Sequence, residues 1–275
     1  MPTLRELQKR LESAETIRQL SGAMRSAATA KYTKLAAALD AYSPYAAAMR
    51  DIAPGTNGDN TAASEAETNA PALCLLVSGN RGLCGGYHHQ LFAFFSEFYA
   101  SVGPRVVTCG KKALDFCRSK NIPVDADFAL SDVPSFAEAK RIADFAFDLY
   151  SSGEVGGIVV CYQRFYNMLR AVPSAETLLR RSGSDTQTDC GDVIFIPAKS
   201  AVEQIAVPVV FAANVYDRLL SAQTAAQAAT LVAMRSAYDN ASASITSLEV
   251  RINRLRQAAV TASVLETATD VKEQL

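Results

Sequence analysis

Apolar residues recur through the last quarter of the chain in unbroken steps of three and four. Leu231, Met234, Tyr238, Ala241, Ile245, Leu248, Ile252, Leu255, Ala259 and Ala262 carry the series. That spacing is the a/d seam of a coiled coil, sustained over several heptads. The other faces are mostly Ala, Ser and Thr with a few charges. A seam needs a partner helix, and the opposite end of the chain supplies the candidate. Residues 3 to about 52 read as one helix, with Thr3 and Glu6 forming a capping box. Leu4, Leu7, Leu11 and Ala14 open its apolar stripe. Ile17, Leu20, Met24 and Ala27 continue it after a local phase shift, a stammer that overwinds a coiled coil. Leu35, Leu39, Tyr42, Tyr45, Met49 and Ile52 extend it, and Pro44 predicts a kink or a short interruption. At about 1.5 Å per residue the first helix spans roughly 75 Å and the last close to 100 Å, so one end of the pair is expected to project.

Between the helices the texture changes twice. Residues 54–72 form a polar linker rich in Gly, Pro and Asn. From Leu73, short apolar runs alternate with amphipathic stretches. Strands are predicted at 73–78, 105–109, 155–162 and 168–173, with a short one within 122–128. Helices are predicted at 87–102, 111–121 and 136–152. A polar segment, 180–191, precedes an apolar run at 193–197, and after Pro208 the pattern is helical again. The expected organisation is a helix over 1–53, the linker over 54–72, an α/β domain with a mainly parallel sheet over 73–206 and a helix over 207–275. The two terminal helices pair as an antiparallel coiled coil.

Composition narrows the function classes. The chain has 275 residues, 49% hydrophobic and 20% charged, with a net charge of -1. That balance gives no reason to expect nucleic acid or an anionic membrane as the main partner. His88 and His89 are the two histidines and there is no Trp, so a metal site is not expected. Cys74, Cys84, Cys109, Cys117, Cys161 and Cys190 show no C-x-x-C spacing and read as reduced, buried thiols of a cytosolic compartment. The charged opening (Arg5, Glu6, Lys9, Arg10, Glu12) is unlike a signal peptide, and no apolar run approaches the ~20 residues that span a bilayer.

One loop invites chemistry. Gly79, Gly82, Gly85 and Gly86 follow a buried strand and precede a helix, where α/β proteins bind phosphate on free amides. The spacing G-x-x-G-x-x-G-G is neither the P-loop nor the dinucleotide pattern, and no Lys-Ser/Thr follows it. Residues Arg81, Gly82, Gly85 and Gly86 are therefore read as a structural strand-to-helix turn, with a nucleotide-binding enzyme carrying coiled-coil arms as the alternative. His88 and His89 are read as exposed polar residues at a helix start. Arg251, Arg254 and Arg256 make a basic face beside the seam.

Three stretches together resemble the gamma subunit of F-type ATP synthases. These are T-I-R-Q-L-S-G-A-M-R-S-A-A-T-A-K at 16–31, N-R-G-L-C-G-G-Y at 80–87, and A-M-R-S-A-Y-D-N-A at 233–241 followed by I-N-R-L-R-Q-A-A-V-T at 252–261. The resemblance implies a rotating central shaft and a non-catalytic subunit without a cofactor. It also implies a place on the cytoplasmic face of the cell membrane, peripheral, with no direct insertion. Implied partners are three catalytic and three non-catalytic subunits, an epsilon-type companion and the membrane rotor ring. It further implies that Met24, Asn253, Arg256, Gln257 and Thr261 meet the catalytic-subunit ring, with the Met24 region opposite on the other helix. Val264 and Leu265 would run in an apolar bearing. The chain departs from the family pattern at Asn80, Ala226, Thr230, Ser263 and Ile196.

Overall fold

A computed structural model describes residues 3–52, 70–180 and 199–273. The linker up to residue 69, the segment 181–191 with Cys190, the run 193–197 with Ile196, and the Leu265 side chain lie outside the described residues. The chain forms two compact units, Met1–Ala27 with Ala233–Leu275, and Ala28–Val232. Helix α1, Leu4–Ile52, and helix α5, Lys199–Glu273, contribute to both.

The larger unit holds a five-stranded sheet. Its elements are β1 Ala72–Val77, α2 Tyr87–Val102, β2 Arg105–Cys109, α3 Lys111–Ser119, β3 Ala126–Phe128, α4 Phe136–Ser151, β4 Gly157–Asn167 and β5 Arg170–Arg180. The strand order is β3-β2-β1-β4-β5. The first four strands run parallel and β5 is antiparallel at the edge. β1 and the first half of β4 are apolar at nearly every position because helices cover both faces. On one face Leu91, Phe95, Ala113 and Cys117 of α2 and α3 pack on Cys74, Leu76, Val106 and Cys161. On the other, Ala139, Ile142 and Ala146 of α4 and Phe211, Val215 and Leu219 of α5 pack on Leu73, Leu75, Val107 and Val160. The five described cysteines are free and buried. Burial lifts the Cys117 thiol to about 11, which leaves it protonated and unreactive at neutral pH.

In the smaller unit α5 presents the expected seam. Met234, Ala241, Ile245 and Ile252 are buried, with Tyr238, Leu248 and Leu255 half-buried between them. The α1 side differs from its expected stripe. Ile17 is 53% exposed and Leu20 59%, while Leu7, Ala14 and Ser21 are buried. Ala28 and Leu35 continue the same interval in the larger unit. The stripe is a strict seven-residue repeat of mainly small side chains, with no phase shift. The reason is steric. A Cβ on Gly22 would already touch the Tyr238 ring at 3.6 Å, and the Arg25 guanidinium lies 4.8 Å from the same ring centroid. The large seam residues of α5 fill the space, so α1 contributes small ones.

The pairing is antiparallel. Tyr42 meets Ala213 and Tyr216, whereas Gly22 and Arg25 meet Tyr238. From Gly22–Tyr238, Leu4 comes level with about residue 256 at equal rise on both helices. Residues 256–264, including the expected seam members Ala259 and Ala262, are all exposed. The seam ends where the described α1 begins.

Neither proline breaks its helix where expected. α1 runs without interruption through Pro44, which is exposed. α5 begins at Lys199, ahead of Pro208, not at 207. The β4–β5 pair is also longer than its apolar texture suggested. α5 includes a stretch within Ile205–Val264 that is long and apolar enough by composition to cross a membrane; 56% of it is buried inside the protein, as a core helix would be.

Candidate functional site

The glycine loop joins β1 to α2 at the point where the sheet's connections reverse, since β1 lies between β2 and β4. In an open α/β sheet this crevice takes ligands. Here α5 lies across it. Tyr87 donates its hydroxyl to the Ala222 carbonyl at 2.9 Å. Gln223 Nε2 donates to the Ser78 carbonyl at 3.1 Å, and Gln163 Nε2 to the Tyr87 carbonyl at 3.1 Å. Cys84, Tyr87, Ala225 and Ala226 form an apolar cluster with Phe165, Ala171 and Ala229. Burial pushes the Tyr87 phenol far above its ordinary value, so it remains a hydrogen-bond donor.

The glycines have unequal reasons. Gly85 sits at φ 57, in the left-handed region, and Leu83 close by at φ 63. A Cβ on Gly82 would meet nothing within 4 Å, and one on Gly86 only the Gln90 amide at 3.9 Å. A Cβ on Gly79 would touch the His88 ring at 3.5 Å and Ala226 at 3.9 Å. The tightest glycine lies elsewhere. Gly110, at φ 101, would drive a Cβ into the Ser78 carbonyl oxygen. Sequence reading missed it, although its place between an apolar run and a helix start was the available signal.

Asn80 ties the loop to two neighbours. Its Nδ2 donates to the Leu130 carbonyl, and its Oδ1 accepts from the Lys111 amide at 3.2 Å. Asp132, two residues beyond Leu130, ion-pairs with Lys31 of α1 and, at 3.9 Å, with the largely exposed Arg81. His88 differs from its expected exposure. It is half-buried, stacks on Phe92 with centroids 5.6 Å apart, and places Nε2 3.0 Å from the Arg81 carbonyl. Burial depresses its pKa, and the Arg81 carbonyl opposes that shift. His89 is exposed, as expected.

The residues expected to meet a partner fall into two separate places. Asn253, Arg256, Gln257 and Thr261 are exposed on α5, with Thr261 Oγ1 donating to the Gln257 carbonyl of its own helix at 2.9 Å. Arg256, Gln257 and Thr261 share the overhang beyond the start of the described α1 with Val260 and Val264, exposed at 59% and 62%, whereas Asn253 is level with about Leu7 and lies within the paired stretch. Met24 is half-buried and level with about residue 236, roughly 30 Å short of Arg256 along the helix. The structure does not bring Met24 to the overhang. Ala226 is buried in the cluster beside Gly79.

An α/β sheet unit with α5 laid across its crevice, in a chain whose long helices α1 and α5 pair through an apolar seam, defines an α/β protein with coiled-coil helices. A sequence profile of the ATP synthase family matches residues 3–269. The ATP synthase gamma chain of Moorella thermoacetica is 30% identical over 277 residues, covering 97% of each chain. That of Chlorobium luteolum is 30% identical over 280 residues with the same coverage. The chain belongs to the ATP synthase gamma-chain family. Its fold is similar to a chain in the rotor of the Euglena gracilis mitochondrial ATP synthase, at TM-score 0.71 and 15% identity, covering 94% of this chain and 98% of that one. It is also similar to one in the central stalk and c-ring of the Tetrahymena thermophila enzyme, at TM-score 0.63 and 17% identity, covering 79% and 99%.

Proposed function

We propose that this chain is the rotating central shaft of an F-type ATP synthase, coupling ion flow through a membrane rotor ring to nucleotide turnover in the head. Family membership over nearly the whole chain supports this reading, and one observation carries it: α5 outruns α1 and exposes Arg256, Gln257, Val260, Thr261 and Val264 together. Paired helices resist twisting, and an asymmetric tip can make different contacts with each of three catalytic subunits. A contact drives a site between states only through its different affinity for those states. Small exposed residues such as Ala243, Ser244, Ser247 and Ala258 leave few steric locks against a surrounding sleeve.

The subunit itself is non-catalytic in this reading, which the filled crevice beside the glycine loop favours over the nucleotide-binding alternative. Its partners are three catalytic and three non-catalytic subunits, an epsilon-type companion and the rotor ring, and its place is peripheral, on the cytoplasmic face of the cell membrane. Arg256, Gln257, Asn253 and Thr261 are the residues assigned to the head, with Met24 a separate contact. Purifying the tagged chain from its native host tests the assignment. It should bring down a head that hydrolyses ATP, and Arg256→Ala should lower coupled turnover by roughly tenfold, as loss of one charged hydrogen bond implies. Recovery of the chain alone, binding nucleotide, would overturn the reading.

A further inference from the structure

The β4–β5 hairpin outruns its sheet. β1 stops pairing with β4 at Leu76↔Cys161, whereas β4 and β5 remain paired out to Asn167↔Arg170. An isolated two-stranded ribbon is marginal in water, and this one is braced. Glu176, buried, accepts from Tyr162 Oη at 2.7 Å, Arg218 Nε at 2.7 Å and Arg164 Nη1 at 3.3 Å. The Phe165 amide donates to Ser221 Oγ at 2.9 Å, and the Phe165 ring meets Tyr32 edge-on at 6.2 Å. The tip is closed by Asn167 Oδ1, which accepts from the amides of Leu169 at 3.0 Å and Arg170 at 2.8 Å.

What this bracing presents is apolar and cationic. Tyr166, Met168 and Leu169 are exposed, Leu169 at 85%. The guanidiniums of Arg164 and Arg170 lie 5.5 and 5.3 Å from the Tyr166 ring centroid. From Gln163 to Ala175 there is no Asp or Glu, although the chain as a whole carries a net charge of -1. Tyr, Arg and Met are the residues enriched at protein interface anchors, and a tip already ordered loses little entropy on binding.

We propose that this tip docks an acidic protein segment, with Leu169 and Met168 entering an apolar notch while carboxylates of the partner pair with Arg164 and Arg170. The guanidinium fork favours a bidentate carboxylate. Two cations fall short of the roughly four to eight that an anionic lipid surface recruits, which favours protein over membrane. The inference stands apart from the rotor reading, since it uses only the hairpin.

The test is crosslinking in the native host, with photoreactive p-benzoyl-phenylalanine in place of Leu169 and, as a control, in place of the exposed Glu97. The expected result is one major adduct from position 169 on another polypeptide, within a few residues of two or more carboxylates. Arg170→Glu should cut its yield at least tenfold and leave the Glu97 control unchanged. Arg170 lies outside the buried Glu176 brace, so that variant should fold. An adduct to lipid, an adduct to a segment without carboxylates, or a yield no higher than the control would overturn the proposal.

Discussion

Asn80 shows how much one amide can decide. It donates to Leu130 on one side and accepts from Lys111 on the other, and a carboxylate could only accept. Asn80→Asp should therefore lose about 1 kcal/mol of stability, read by denaturant unfolding of the purified chain, because the Leu130 carbonyl loses its donor. Gly110→Ala should cost more, roughly 2 kcal/mol or above, since it adds a clash with Ser78 to a positive φ; Gly82→Ala, with open space around it, should change little. His88 adds a pH dependence. Its folded pKa lies below its ordinary 6.5, so the unfolded chain takes up the proton first. Stability should then be full above about pH 6.5 and fall as pH drops below it. His88→Gln should flatten that part of the profile, and an unchanged slope would show that the buried imidazole is not its source.

At the scale of elements, the seam makes opposite predictions for residues that look alike in sequence. Ile245→Asp places an unpaired charge in the buried seam and should destabilise the smaller unit by several kcal/mol; Ile17→Asp should stay within about 0.5 kcal/mol. Thermal unfolding followed by helix content separates the two. The limits of β1, α2 and β2 were legible to within a residue because apolar runs and flanking Gly and Pro mark them locally. The α5 seam was legible for the same reason, since its residues are large. The α1 side was not, because Ala14, Ser21 and Ala28 are chosen by what α5 leaves room for, whereas the bulkier Ile17 and Leu20 face outward. The length of the β4–β5 hairpin was hidden too. Gln163, Arg164, Asn167 and Arg170 interrupt its outer half, and what holds it is a buried Glu176 contacted from Tyr162 and from Arg218 on a distant helix. The partner contacts proposed for Asn253, Arg256, Gln257 and Thr261 rest on family resemblance alone, since these exposed residues carry no local mark of function.

For the whole molecule, two features favour the proposed shaft over the nucleotide-binding alternative. The crevice where a nucleotide would sit is occupied by Tyr87, Gln223 and the alanines of α5. The chain should accordingly show no ATP binding at millimolar concentration in calorimetry. The bare tip of α5 is the second feature, exposing apolar and basic side chains where α1 has ended. If this tip turns inside a ring of catalytic subunits, single-molecule rotation shows it most directly. The assembled head is fixed to a surface, a probe is attached to the larger unit of this chain, and ATP is supplied. Stepwise rotation in one direction, dependent on ATP and slowed by Arg256→Ala, is the expected result. A probe that stays still while the same heads hydrolyse ATP at full rate would contradict it.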